Sequence, residues 1–258
     1  EWLMQLAFVH LERGTRDIAS SELAWFMERF PNARSNPDLK SKQHEFEEFM
    51  RLSMLVEMKP GTDALHFWHE SFAEFLAAQN IQDYFAGSPD APPGIIGALD
   101  LTERHTIVEF VLELLLRSHQ RSWPQVVVAL YRRLVRVSSL DGSRLPTGVW
   151  MPHLHTRNNI IHLIASALKG VSSEREPDAS YSLSDVLKDL TFSLCDLSRT
   201  NLSDLLTLII SEDAELARTM FRNTNLEGTT LPSTFTAQYS ALVTPRDTRL
   251  FHKSGVPI

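Results

Sequence analysis

The sequence predicts a mainly α protein built from three successive modules, and three observations carry that prediction. Apolar residues recur at helical spacing through most of residues 2–172. A strand–turn–strand pattern interrupts them over residues 55–68, and from Leu190 the period changes to five.

The first module occupies residues 1–87. "WLMQLAFVHLERG" carries Trp2, Leu3, Leu6 and Leu11 on one helical face and ends at Gly14, a residue type favoured just past helix ends. Because that helix is already under way at the first residues, the chain reads as the C-terminal part of a larger polypeptide. "SSELAWFMERFP" starts on a serine cap, turns Leu23, Phe26, Met27 and Phe30 inward and stops at Pro31. Residues 31–43 are polar and punctuated by Pro31 and Pro37, which predicts an exposed loop. "HEFEEFMRLSML" is a third helix, with Phe46, Phe49, Met50 and Met54 inside. Two strands then flank a turn at Pro60-Gly61, and a fourth helix runs from about Glu70 to Phe85. Three helices followed by a hairpin is the winged-helix order.

Residues 94–175 predict a helical, HEAT-like module. Thr102 is placed to cap a helix that buries Ile107, Val108, Val111, Leu114 and Leu115. A second helix has Pro124 in its first turn, and a third, "TRNNIIHLIASALKG", is expected to close at Gly170.

In residues 185–235 the apolar centres Phe192, Leu197 and Leu202 fall five apart, and after a spacer at 205–213 so do Leu216, Phe221, Leu226 and Leu231. Neither a helix nor a flat strand has that period. The segment resembles the pentapeptide-repeat family, with Asp196-Leu197, Asn201-Leu202 and Asn225-Leu226 fitting its A-(D/N)-L-x-x unit, while Leu190 and Met220 depart from it. The resemblance implies a short β-solenoid with those centres inside. The alternative is a leucine-bearing surface segment with coincidental spacing. Residues 236–258 form a C-terminal tail.

Composition narrows the function. A net charge of −7 argues against a dedicated nucleic-acid binder. The single cysteine, Cys195, excludes an intrachain disulfide framework and suits a reducing, cytoplasmic setting. No apolar run approaches the roughly 18 residues of a spanning helix, so no membrane partner is expected. Phosphate-binding and nucleophile-elbow motifs are absent, and no catalytic role is expected of this chain alone. His66/His69 and His153/His155 lack the partners of a metal site, so no metal is expected. "EFEEF" at 45–49 reads as a solvated face, as does the basic stretch Arg117, Arg121, Arg132, Arg133 and Arg136.

The stretch "FWHESFAEFLAA" resembles the F-x-H-x-[ST]-F-Q-E-[YF]-x-A-A motif that closes the winged helix of NACHT-type STAND ATPases, a family that includes animal NLR immune receptors and bacterial antiphage proteins. Phe67, His69, Ser71, Phe72, Glu74, Phe75, Ala77 and Ala78 match, and Ala73 departs where the family has glutamine. The resemblance covers residues 1–85 in element order. It implies that His69 contacts the β-phosphate of ADP held by the ATPase domain of the same polypeptide and so maintains a closed state. Phe67, Phe72, Glu74, Phe75, Ala77 and Ala78 would be structural, with Phe72, Phe75 and Leu76 facing the winged-helix core. ATP or ADP with Mg would then be a cofactor of the full-length protein, none belonging to this chain. The resemblance further implies a trigger ligand, protein or nucleic acid, and homo-oligomerisation on activation. The competing reading is a free-standing winged-helix and helical-repeat adaptor that binds protein or DNA without nucleotide.

Overall fold

The computed structural model describes residues 6–7, 10–11, 18–19, 56–58, 64–87, 94–118, 122–138, 152–173, 182–192, 195–221, 224–227, 229–233 and 249–251. Among them the chain is mainly helical, with eight helices and five short strands. It divides into two compact units, Glu1–Asn80 and Ile81–Ile258. The helices expected over 20–30 and 44–55, the loop at 31–43 and the acidic run at 45–49 lie outside the described residues.

In the first unit, β1 (Ile18–Ala19), β2 (Val56–Met58) and β3 (Ala64–Phe67) form an antiparallel sheet in the order β1-β3-β2. The β2–β3 register sets Val56 opposite Phe67, Glu57 opposite His66 and Met58 opposite Leu65, which is the hairpin that the Pro60-Gly61 turn predicts. β1 is an addition that two residues gave no pattern to foresee. Leu6, Ala7 and Leu11 are buried on a helical stretch, and the buried His10 ring meets Phe67 edge-on at 5.5 Å. Helix α1 (Glu70–Ala86) follows β3, and the division between units falls after its Asn80. Gly87, just past it, donates its N–H to the Asp83 carbonyl at 2.8 Å.

The second unit contains α2 (Gly94–Ala98), α3 (His105–Arg117), α4 (Trp123–Ser138), α5 (Pro152–Ser173), α6 (Leu183–Lys188), α7 (Ser203–Glu212) and α8 (Ala214–Met220). The long α5 is its centre: α2, α3, α4, α6 and α7 all pack on it. Ile160, Ile161, Leu163, Ile164, Ala167 and Leu168 supply the buried surface. Asn159, fully buried, accepts from the Leu101 N–H at 2.9 Å and donates to the Ile96 and Leu99 carbonyls. It thereby satisfies the end of α2, whose last carbonyls have no helical partner. Thr102 is not the cap of α3; its N–H and hydroxyl both donate to Asp100 Oδ1, and the helix starts after Arg104 without a side-chain cap. Leu112 is buried where Leu114 was expected. Gly170 does not end α5, which continues to Ser173. A Cβ on Gly170 would lie 2.7 Å from the Trp123 indole, so glycine is required there by close packing.

The five-residue period takes the form of a repeating turn. The N–H groups of Cys195, Thr200, Thr224 and Thr229 donate to the carbonyls of Phe192, Leu197, Phe221 and Leu226, at 3.1, 3.4, 3.3 and 3.2 Å. The two rows lie one on the other: Phe192 stacks on Phe221 at 4.8 Å, and Asn201 and Thr230 form a parallel bridge at the same sequence offset. Thr224 and Thr229 hydroxyls donate across the rows to the Phe192 and Leu197 carbonyls. β4 (Asn225–Glu227) pairs in parallel with β5 (Arg249–Phe251), within the segment expected as a tail.

Leu197, Leu202, Phe221 and Leu226 are buried. Leu216 and Leu231 are only partly buried, and Leu216 belongs to α8, so its assignment to a five-residue unit is corrected. "AELAR" is made of strong helix formers, and Asp213 caps it by accepting from the N–H groups of Glu215 and Leu216. The interruption is therefore longer than the spacer predicted, spanning α7 and α8. Groups of α4 and α5 hold the first row: the Tyr131 hydroxyl bonds both the carbonyl and the N–H of Thr191, the Ser138 backbone carbonyl accepts from the Asp196 N–H, and the Asn158 side chain accepts from the Asn201 N–H.

Candidate functional site

His69 stands between β3 and α1, because Phe67 is drawn into the core and the helix begins three residues later, at Glu70. Its imidazole takes the place of an ordinary cap: the Ser71 N–H donates to Nδ1 at 3.1 Å, with Ser71 Oγ 2.6 Å from the same nitrogen. The His69 carbonyl accepts from the Phe72 N–H at 3.0 Å. A backbone N–H can only donate, so Nδ1 is an acceptor and the neutral ring carries its proton on Nε2. The residue is exposed, and its ring touches Phe72 edge-on at 6.4 Å. A fixed ring presenting one N–H outward is a hydrogen-bond donor suited to an anionic oxygen.

The rest of the motif divides differently from expectation. Phe67, Ala77 and Ala78 are buried, but Phe72 and Phe75 are 38% and 37% exposed and Trp68 is 69% exposed. The expectation that Phe72 and Phe75 face the core is thus corrected. Phe72 and Phe75, three apart on α1, lie on one helical stripe with Trp68 on the bend before it, and Ala73, Ala77 and Ile81 define the buried stripe. Small side chains let that side be covered closely, which leaves the bulky rings outside. Ala73 is fully buried, so the position where the family carries glutamine offers its side chain no solvent. Glu74 is half-buried.

The basic stretch does not form one face. Arg133 is buried, with its guanidinium 3.9 Å above the Tyr84 ring and donating to the Tyr84 carbonyl. Burial pushes the Tyr84 phenol above its usual range, and Arg133 partly offsets this. Arg117 pairs with Glu113 along the exposed side of α3, Arg132 and Arg136 are exposed, and Arg121 lies outside the described residues. Asn159 is a buried polar residue the sequence did not mark, and Arg133 is one whose basic run read as solvent-facing. Among the described residues no group of three or more His, Cys, Asp or Glu side chains is arranged to hold a metal, and no helix is long and apolar enough to cross a membrane.

No protein-family model, curated protein or solved structure matches the chain.

Proposed function

We propose that this chain is the C-terminal regulatory portion of a NACHT-type STAND ATPase, in which a winged helix restrains an ADP-bound closed state through His69. The observation that carries the reading is the His69 ring, held through Nδ1 with its Nε2 proton directed away from that bond. Such a donor fits a phosphate oxygen, and a bond of this kind to a charged acceptor is worth roughly 1.5–3 kcal/mol. That is the size of a typical allosteric coupling, about 1–3 kcal/mol. The exposed rings of Trp68 and Phe72 beside it supply apolar area for an approaching domain. The stacked five-residue turns support a short pentapeptide-type solenoid at the C-terminal end, and with the helical module they would sense a protein or nucleic-acid trigger before the cytoplasmic protein homo-oligomerises.

The ATPase chemistry, with ATP or ADP and Mg, would belong to an upstream domain. A G-x-x-x-x-G-K-[ST] loop within a few hundred residues before Glu1 in the encoding gene is the expected finding, and its absence would overturn the proposal. In that polypeptide His69→Ala should weaken ADP binding roughly ten- to a hundredfold more than ATP binding. Equal losses for the two nucleotides would count against a closed-state contact. A free-standing adaptor is the second reading, favoured by the aromatic stripe itself, which suits a protein partner whether or not nucleotide is present.

A further inference from the structure

α5 carries a histidine that the nucleotide-sensing proposal does not use. His162 lies within the helix, and its Nε2 is buried without a hydrogen-bond partner among the described residues. Seven residues on, at about two helical turns and so on the same face, Lys169 reaches Asp204 of α7 at 3.7 Å. The charged groups acting on His162 are Asp204 from α7, Lys169 from α5 itself, His105 from α3 and Asp100 from the α2–α3 loop. α2 carries no charge, Arg133 of α4 is engaged with Tyr84, and Asp185 and Lys188 of α6 pair with each other at 3.3 Å.

We propose that His162 is a proton-operated latch between α5 and α7: neutral, it fills the contact, and protonated, it releases α7. A second proton would make the ring a partly buried cation on the same helix face as Lys169, while Asp204, the carboxylate that acts on it from α7, is already shared with Lys169. Burial, assisted by Lys169 and His105, holds the imidazole below its ordinary range against the pull of Asp204 and Asp100. The sign follows from linkage. The open form takes the proton at about pH 6.5, the closed form only at lower pH, so the contact is stable above that value and weakens as pH falls through the window between them. α7 follows directly on Leu202 of the first five-residue row, and α8 leads to Phe221 of the second, so release of α7 acts on the segment joining the stacked rows.

Amide hydrogen exchange of Leu205, Leu206 and Ile209, corrected for intrinsic rates, tests this in the 258-residue chain between pH 7.5 and 5.5. Within the window the opening constant should rise by up to about tenfold per pH unit in the parent and stay flat in His162→Phe. The same acid-driven rise in His162→Phe would overturn the proposal. Should that variant fail to fold, the His162 ring resonances of the parent decide. Titration at or above the ordinary value overturns the latch; titration below it, in step with the exchange of α7, supports it.

Discussion

Replacing His69 with alanine and with asparagine separates two roles that the structure joins in one ring. Alanine removes the acceptor for the Ser71 N–H and the outward Nε2 donor together. Asparagine restores an acceptor, being among the best capping residues, but its short amide replaces the ring that carries the donor. Both substitutions lose the edge contact with Phe72, so the difference between them isolates the cap. Loss of a cap costs about 0.5–2 kcal/mol, and His69 is exposed, so little buried area is lost with it. Urea unfolding of this chain should place His69→Ala about 1 kcal/mol below His69→Asn. In the polypeptide bearing the nucleotide domain, both variants should lose ADP affinity by the roughly 1.5–3 kcal/mol of the phosphate contact. If His69→Asn recovers stability and also retains ADP like the parent, Nε2 contributes nothing and the residue only caps α1. If His69→Ala is as stable as the parent, the cap itself is refuted.

Three further outcomes follow from the packing. Asn159→Ala would strip partners from the Leu101 N–H and the Ile96 and Leu99 carbonyls in a buried site and should cost about 3–5 kcal/mol; a urea midpoint shift worth under about 1 kcal/mol would mean that those groups find other partners. Leu226→Asp would set an unpaired carboxylate at a position 1% exposed, and a parent-like melting curve would show that the second row is not closed around it. Burial, assisted by Asp196, pushes the Cys195 thiol up to about 11, leaving about a hundredfold less thiolate at pH 8 than an ordinary thiol. Iodoacetamide should therefore label it only as the protein unfolds, and stability should decline as pH rises from about 9 toward that value; rapid labelling of the native chain would contradict the buried placement.

How far each feature could be read in the sequence depended on how local its cause is. The β2–β3 hairpin and the five-residue turns are set by contacts within a few residues, so Pro60-Gly61 and the Phe192–Leu197–Leu202 spacing announced them. "AELAR" satisfies two local codes at once, and the helix prevailed because Asp213 supplies a cap that the repeat has no use for. The orientation of α1 is another kind of problem. Hydrophobicity alone assigns Phe72 and Phe75 to the interior, yet burial depends on how closely the covering surface approaches, and Ala73, Ala77 and Ala78 permit an approach that phenylalanine does not. The same reasoning applies to Gly170 against Trp123, where a missing side chain is the contact. Asn159 and His162 lie three apart on α5, and nothing near them in sequence tells that the partners of Asn159 lie some sixty residues away while the buried nitrogen of His162 has none among the described residues. A polar residue taken out of water is conspicuous only once the fold encloses it, and its cost when unpaired makes such positions the places to probe for function. His69 differs in being polar, ordered and still open to solvent, so its hydrogen-bonding capacity remains for something outside the described chain.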